Sequence, residues 1–126
     1  MRIILIGSGG AMGRKVISAA IQRGHEIVAG VDRVNLNDNF PVFEKVADIN
    51  VDADMVIDFS HPDLLVDVLK YCEEHSLPLV SATTGIGEDD ERTIFELSRK
   101  VPVARSKNFS FGISVMKVLL EKAVKL

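Results

Sequence analysis

Apolar residues occur along this chain in two alternating patterns, short continuous runs and longer segments with helical spacing. The runs predict buried parallel strands at residues 2–6, 26–31, 55–59, 79–82 and 101–104. Helical spacing predicts helices at residues 11–23, 62–75 and 88–100, and a last helix through Ile113, Met116, Leu119, Leu120, Ala123 and Val124. This alternation indicates an α/β fold, a doubly wound, Rossmann-type parallel sheet with helices on both faces.

Local signals refine the helices and the segments between them. Pro62 is favoured at a first helical position because its missing N–H has no partner there. Acidic residues crowd the start of the helix at 88–100, where the helix dipole favours them. The polar residues 33–39 predict a loop, and residues 41–46 fit either a short strand or a helical turn. The apolar side of the first helix is predicted at Met12, Val16, Ala19 and Ala20, and that of the second at Leu65, Leu69 and Cys72.

A glycine-rich segment, Gly7-Ser8-Gly9-Gly10-Ala11-Met12-Gly13-Arg14, joins the first strand to the first helix. This order is typical of the phosphate-binding turn of a dinucleotide fold, whose helix N-terminus offers free N–H groups to the anion. In this interpretation Gly7 permits the tight turn, and Gly9 or Gly10 lets the backbone approach a pyrophosphate. Gly13 would let the helix pack close on the strand. An ordinary strand-to-helix turn is the alternative, and the buried strand before it and the helical spacing after it disfavour that alternative.

Two charged residues follow the second strand. Asp32 lies about twenty residues past the last glycine, where a ribose-binding carboxylate is expected. Arg33 could stack on adenine or pair with a 2′-phosphate, and a solvated loop arginine is the alternative. The pair predicts NADH or NADPH as cofactor, with tolerance of both.

Polar residues also follow the later strands, at 59–61, 82–85 and 106–109. Ligands bind beyond the carboxyl ends of the strands in open α/β folds, so these segments are expected to meet at one site. Thr83 and Thr84 offer hydroxyls to a ribose or a nicotinamide amide, and Asn108 offers an amide. Each alone would more often be turn or cap chemistry. Asp58 is expected near the end of its strand as a cap or a loop anchor, not as a base.

The three histidines, His25, His61 and His75, have no metal-ligand spacing, so no metal site is predicted. Structural or solvent-exposed roles are expected for His25 and His75, whereas His61 could border the cofactor. Cys72 is expected to be a buried, inert thiol.

Composition fits one globular domain over residues 1–126, with 47% hydrophobic and 26% charged residues. The net charge of −3, without a basic cluster, argues against a nucleic-acid partner. A single cysteine excludes a disulfide framework within the chain and fits a reduced, cytoplasmic setting. No run reaches membrane-spanning length, so no membrane partner is predicted.

The segments at 7–14, 56–60, 82–85 and 108–112 resemble the N-terminal half of the dihydrodipicolinate reductase family, in the family's order and over essentially the whole chain. The resemblance implies that residues 7–12 cradle the pyrophosphate, Asp32 holds the ribose and Arg33 holds the adenine or a 2′-phosphate. Residues 82–84 and 106–109 would line the nicotinamide end, and Thr84 would also face the substrate. The implied cofactor-binding residues are Gly7, Ser8, Gly9, Gly10, Ala11, Met12, Asp32, Arg33, Ala82, Thr83, Thr84, Ser106, Lys107, Asn108 and Phe109.

Members of this family pass a hydride from NADH or NADPH to a cyclic imine dicarboxylate in lysine and diaminopimelate synthesis. The paired histidines, nearby lysine and carboxylate-binding glycine loop of the family's substrate domain have no counterpart in residues 1–126. The expectation is therefore a cofactor-binding part, truncated within its last helix, without catalytic residues or turnover of its own. A small-molecule substrate would bind only the full-length enzyme.

Two other functions compete with this interpretation. The chain could be the nucleotide domain of another amino-acid dehydrogenase, or a stand-alone module that senses dinucleotides. The apolar stripe of the last helix could also support a homo-oligomer.

Overall fold

The computed structural model describes residues 1–35 and 39–106. The predicted segment at 108–112 and the last helix lie outside the described residues. The strands are β1 (Arg2–Ile6), β2 (Glu26–Val31), β3 (Val42–Phe43), β4 (Met55–Asp58), β5 (Leu79–Ser81) and β6 (Val103–Arg105). The helices are α1 (Ala11–Gln22), α2 (Leu65–Glu74) and α3 (Glu88–Ser98), with single 3₁₀ turns at Val46–Asp48 and Pro62–Leu64.

The six strands form one all-parallel sheet in the order β3-β2-β1-β4-β5-β6. This is the doubly wound order, in which the chain reverses direction across the sheet between β1 and β4. Ile6 pairs with Val31 of β2 on one side and with Asp58 of β4 on the other. The carboxyl ends of β1, β2 and β4 therefore lie level with one another, and the segments that leave them share one edge of the sheet.

The two faces of the sheet carry separate apolar clusters. On one face Ile3, Leu5 and Ile27 pack with Ile17 and Ala20 of α1. The opposite face packs against α2 and α3, and its cluster includes Ile4, Ile6, Val56, Leu79, Val68, Leu69, Cys72 and Leu97. Neighbouring residues of one strand thus contribute to opposite faces of the sheet, as strand geometry requires. Helices pack on both faces, which confirms the predicted architecture. No helix in the described part of the chain is long and apolar enough to cross a membrane.

The predicted apolar side of α1 is wrong in one respect. The buried residues of α1 are Gly13, Ile17 and Ala20, whereas Met12 is 46% exposed. Residues 13, 17 and 20 form one face of a helix because they are spaced by four and three. The predicted positions Val16 and Ala19 are half-buried beside this face, and Ala20 belongs to it.

Local geometry accounts for three further boundaries. The helix expected from Pro62 begins with a 3₁₀ turn, and its predicted apolar positions Leu65, Leu69 and Cys72 are all buried. The ambiguous residues 41–46 form the short strand β3, and a 3₁₀ turn follows it. The strand β6 begins two residues later than predicted because the amide of Val101 still donates to Leu97 O (3.0 Å), in a last turn of α3.

Candidate functional site

A cleft of about 540 Å³ opens at the carboxyl edge of the sheet, at the switch point between β1 and β4. Segments that follow β1, β2 and β4 supply its walls. The lining residues are Gly7, Gly10, Val31, Asp32, Arg33, Phe59, Ser60, His61, Asp63 and Leu64. Ligands of open α/β sheets bind at this position, so the cleft is the candidate site.

The turn after β1 requires glycine at its first position. Gly7 has φ +82°, a conformation that side chains with a Cβ rarely adopt. A Cβ at Gly7 would also lie 2.7 Å from the carbonyl oxygen of Phe59, which follows β4. The amide of Gly7 donates to Val31 O (2.8 Å), and that of Gly10 donates to Gly7 O (3.2 Å). The turn therefore runs close against the ends of both neighbouring strands.

Gly13 brings the first turn of α1 against the glycine turn itself. A Cβ at Gly13 would lie 2.1 Å from Gly7 O and 2.8 Å from Ser8 O. The sequence predicted close packing of this helix on the strand, and the contact is instead with the carbonyls of the turn that follows the strand. The helix thus begins directly beside the cleft.

The N-terminus of α1 presents backbone donors at this point. The first backbone bond at this end of the helix runs from the amide of Arg14 to Gly10 O (3.0 Å). Gly10, at the N-cap, provides no side-chain cap. The amides of residues 11–13 precede the intrahelical bonds, and such amides at a helix N-terminus attract anions.

The carboxylate of Asp32 holds the glycine turn from the end of β2. Its Oδ2 accepts a hydrogen bond from the amide of Gly9 (2.8 Å), and its Oδ1 accepts one from the amide of Val34 (3.1 Å). The amides of Gly9 and Gly10 are therefore both engaged by protein, so the amides of residues 11–13 are the donors best placed for an anion. Each carboxylate oxygen keeps a second lone pair that could accept from a sugar hydroxyl. Arg33 is exposed and lines the same cleft.

A second carboxylate, Asp58, lies beneath the wall of the cleft and is fully buried. Its Oδ1 accepts hydrogen bonds from the amide (2.9 Å) and the hydroxyl (2.5 Å) of Ser60. Its Oδ2 accepts one from the hydroxyl of Thr83 (2.6 Å). Asp58 therefore anchors the loops that follow β4 and β5, as the sequence predicted.

The structure brings together part of the predicted cofactor-binding set. Gly7, Gly10, Asp32 and Arg33 line the cleft. Ala11, Met12 and Thr84 are exposed, Ser106 is half-buried, and Lys107, Asn108 and Phe109 lie outside the described residues. Ala82 and Thr83 are buried at the end of β5.

Ser8 is 1% exposed, and its hydroxyl has no hydrogen-bond partner among the described residues. That hydroxyl points at β2, where a Cβ on Gly30 would meet it at 2.5 Å. Ser8 can therefore offer a ligand little beyond its backbone.

The sequence missed three residues of the cleft: Val31 at the end of β2, and Asp63 and Leu64 in the 3₁₀ turn that begins at Pro62. Pro62 could have indicated Asp63 and Leu64, because it predicts a turn a few residues after the end of β4, and such a turn lies at the edge of the sheet. The amide of Asp63 donates to His61 Nδ1 (3.4 Å), and His61 lines the cleft.

Cys72 is buried on α2 beneath this region. Burial, and after it the charge of Asp58, raises the pKa of the thiol to about 12. The thiol is therefore protonated at neutral pH and unreactive, which agrees with its predicted inert role.

The strand order, the glycine turn and the position of the cleft define a Rossmann-type α/β domain. Solved structures agree on the fold. A WlbA (WbpB) dehydrogenase from Thermus thermophilus, in complex with NAD and α-ketoglutarate, superposes with a TM-score of 0.70 at 16% identity, over 97% of this chain and 47% of that one. A dipicolinate-bound dihydrodipicolinate reductase from Paenisporosarcina sp. TG-14 gives 0.64 at 19% identity, over 78% of this chain and 43% of that one.

Sequence comparison then shows the family. The profile described as dihydrodipicolinate reductase, N-terminus, matches residues 1–109, so this chain belongs to that family. A 4-hydroxy-tetrahydrodipicolinate reductase of Staphylococcus carnosus is 46% identical over 128 residues, and one of Clostridium tetani is 40% identical over 127. The match to the first covers 100% of this chain and 51% of that relative; for the second the figures are 99% and 50%. The chain thus spans about half the length of these relatives.

Proposed function

We propose that residues 1–126 bind NADH or NADPH in the cleft at the switch point. One observation carries the proposal: the glycine turn, the N-terminus of α1 and the Asp32 carboxylate meet in that single cleft. Backbone N–H groups at a helix start suit a pyrophosphate, and a carboxylate beside them suits the adjacent ribose. Family membership and the NAD-bound dehydrogenase of the same fold support this assignment.

The residues present fit the adenosine half of such a cofactor. A side chain at Gly10 would project from the N-cap of α1, so the glycine leaves room for a phosphate against the helix amides. Asp32 would accept from the ribose hydroxyls with its remaining lone pairs while it holds Gly9. Arg33, exposed on the same rim, would stack on adenine or pair with a 2′-phosphate, which supports acceptance of both nucleotides.

The nicotinamide half would lie toward β5 and β6. Thr84, Ser106 and residues 107–109 follow those strands and would line this end, with the backbone of residues 82–83. When bound, the nicotinamide supplies a hydride. In the whole enzyme, we propose, that hydride reduces a cyclic imine dicarboxylate, as the name of the relatives implies. A cytoplasmic setting and small-molecule partners complete the proposal, supported by the single buried thiol and the absence of a basic cluster.

Calorimetric titration of the chain with NADH, and separately with NADPH, tests the binding proposal. Gly10→Val places a branched side chain where the pyrophosphate would lie, so both affinities should fall by at least about tenfold. Gly87→Val is the matched control, because Gly87 is the extended N-cap of α3 and does not line the cleft. The wild-type chain and Gly87→Val should bind alike. Absence of binding by the folded wild-type chain, or equal binding by Gly10→Val, would contradict the proposal.

A further inference from the structure

Asp58 is a buried charged group that bonds to a residue in the wall of the cleft, Ser60, and to the segment that leaves β5. Its side chain is 0% exposed, and its three hydrogen bonds come from Ser60 after β4 and Thr83 after β5. No ion pair joins Asp58 to a lysine, arginine or histidine in the part of the chain that the structure describes. A buried carboxylate is costly unless its oxygens are satisfied, and here hydroxyls and one amide satisfy them.

The two oxygens of Asp58 hold two different segments. Oδ1 holds Ser60, whose neighbours Phe59 and His61 line the cleft. Oδ2 holds Thr83, and the exposed residue Thr84 comes next, followed by Gly85 with φ +79°. The carboxylate therefore fixes the distance between the wall of the cleft at β4 and the segment that leaves β5.

Thr83 turns its hydroxyl inward. The residue is 1% exposed, and its Oγ1 lies 2.6 Å from Asp58 Oδ2. A hydroxyl engaged in this way is not free to contact a cofactor, although the sequence suggested that role for Thr83. Its backbone and the adjacent Thr84 remain at the edge of the sheet, where their positions depend on the buried bond.

We propose that Asp58 and Thr83 form a positioning pair for the nicotinamide half of the cofactor. This inference rests on the proposed binding of NADH. The pair fixes the Thr84 segment relative to the wall of the cleft at β4, on the side where the nicotinamide would lie. The adenosine half is held separately, by Asp32 and the N-terminus of α1. Loss of the Asp58–Thr83 bond should therefore weaken the binding of NADH. The binding of ADP-ribose, which lacks the nicotinamide, should be unaffected.

The experiment compares dissociation constants for NADH and ADP-ribose, measured by calorimetry on the same samples of the full chain. Thr83→Val keeps the shape of the side chain and removes its hydroxyl, whereas Thr83→Ser keeps the hydroxyl and serves as the conservative variant. Leu97→Ala removes buried apolar volume from α3 away from the cleft, and controls for lost stability. An unfolded fraction of the protein raises both apparent dissociation constants by the same factor, so the ratio of the two constants reports positioning alone.

Thr83→Val should raise the NADH dissociation constant by about tenfold and change that of ADP-ribose by less than about twofold. Thr83→Ser and Leu97→Ala should keep the wild-type ratio. An unchanged ratio in Thr83→Val, or the same shift in Leu97→Ala, overturns the proposal.

If Thr83→Val shows no cooperative melting transition, Asp58→Asn replaces it. The amide can still donate to Thr83 Oγ1, so a smaller shift of the ratio in the same direction is expected, and no shift overturns the proposal. A wild-type chain that binds neither ligand overturns the proposed function itself, and this inference with it.

Discussion

At the scale of single residues, Asp32 holds the glycine turn and, in the proposed function, would also influence which cofactor binds. Its two oxygens hold the amides of Gly9 and Val34, and its negative charge lies on the rim beside Arg33. A 2′-phosphate bound at this rim would meet both a repulsive carboxylate and an attractive guanidinium. If the proposed binding holds, the balance of these two charges would decide between NADH and NADPH.

Asp32→Asn should therefore shift the preference toward NADPH by about tenfold, since the repulsive charge is removed while Arg33 stays. The variant should also lose about 1–3 kcal/mol of stability, because one oxygen cannot serve both backbone amides. Calorimetry with both nucleotides measures the first effect, and urea unfolding measures the second.

Asp48→Asn is the matched control, since Asp48 is an exposed aspartate in the 3₁₀ turn at Val46–Asp48 and does not line the cleft. It makes the same change of net charge and should leave the preference unaltered. Equal preferences in Asp32→Asn and the wild-type chain would show that Asp32 does not face the 2′ position.

The role of a residue could be predicted from the sequence where it follows from the backbone conformation. It could not be predicted where it depends on which residue of a neighbouring strand lies opposite. Gly7 was predictable because a strand followed by a tight turn into a helix needs that conformation. The inward bond of Thr83 was not, since it depends on the pairing of β4 with β5, which places Asp58 opposite Ser81. The same limit applies to Ser8, whose side chain faces β2 rather than the cleft.

At the scale of elements, α1 and the glycine turn form one unit through Gly13. Two opposing effects meet at this position. Alanine is the better helix former by about 1 kcal/mol, yet its Cβ would lie 2.1 Å from Gly7 O. The carbonyl belongs to the backbone of a turn held at both ends, so it has little freedom to move, and the clash should outweigh the gain in helix propensity.

Gly13→Ala should destabilise the chain by about 3 kcal/mol and lower its melting temperature accordingly. Ser18→Ala, at an exposed position of the same helix, should be neutral or slightly stabilising. Urea unfolding of both variants measures the difference. If Gly13→Ala proved as stable as the wild-type chain, the close contact between α1 and the turn would be refuted.

Element boundaries were predictable where a continuous apolar run met a break in the chain. The strands β1 and β2 have the predicted bounds, because glycine follows the first and Asp32 follows the second. The start of α2 was less predictable, since proline at a first helical position is compatible with α and 3₁₀ geometry alike. Here the side chain of His61 accepts from the amide of Asp63 in a 3₁₀ turn, and the α-helix begins at Leu65.

At the scale of the whole molecule, the order of strands determines where the chemistry can take place. The alternation of strands and helices predicted a doubly wound sheet, but strand order arises from pairing across the sheet, which no local pattern records. The observed order places the β1–β4 switch point at the cleft, with the glycine turn on one side and the Asp58 loops on the other. Residues 1–126 thus carry the parts expected to hold a dinucleotide.

Residues 1–126 should bind NADH without oxidising it when the cyclic imine substrate of the relatives is added. Reduction of the imine needs a proton donor and cationic groups for two carboxylates, and the family resemblance places these in a segment with paired histidines. The three histidines of this chain are not adjacent. His25 directly precedes β2, His75 is the C-cap of α2 and stacks on Tyr71 at 4.2 Å, and of the three only His61 borders the cleft. Loss of NADH absorbance is the measurement, with the full-length Staphylococcus carnosus relative as the active control.

Steady oxidation that Gly10→Val abolishes would show that these residues already contain a complete active site, whereas oxidation that persists in Gly10→Val would come from a contaminant.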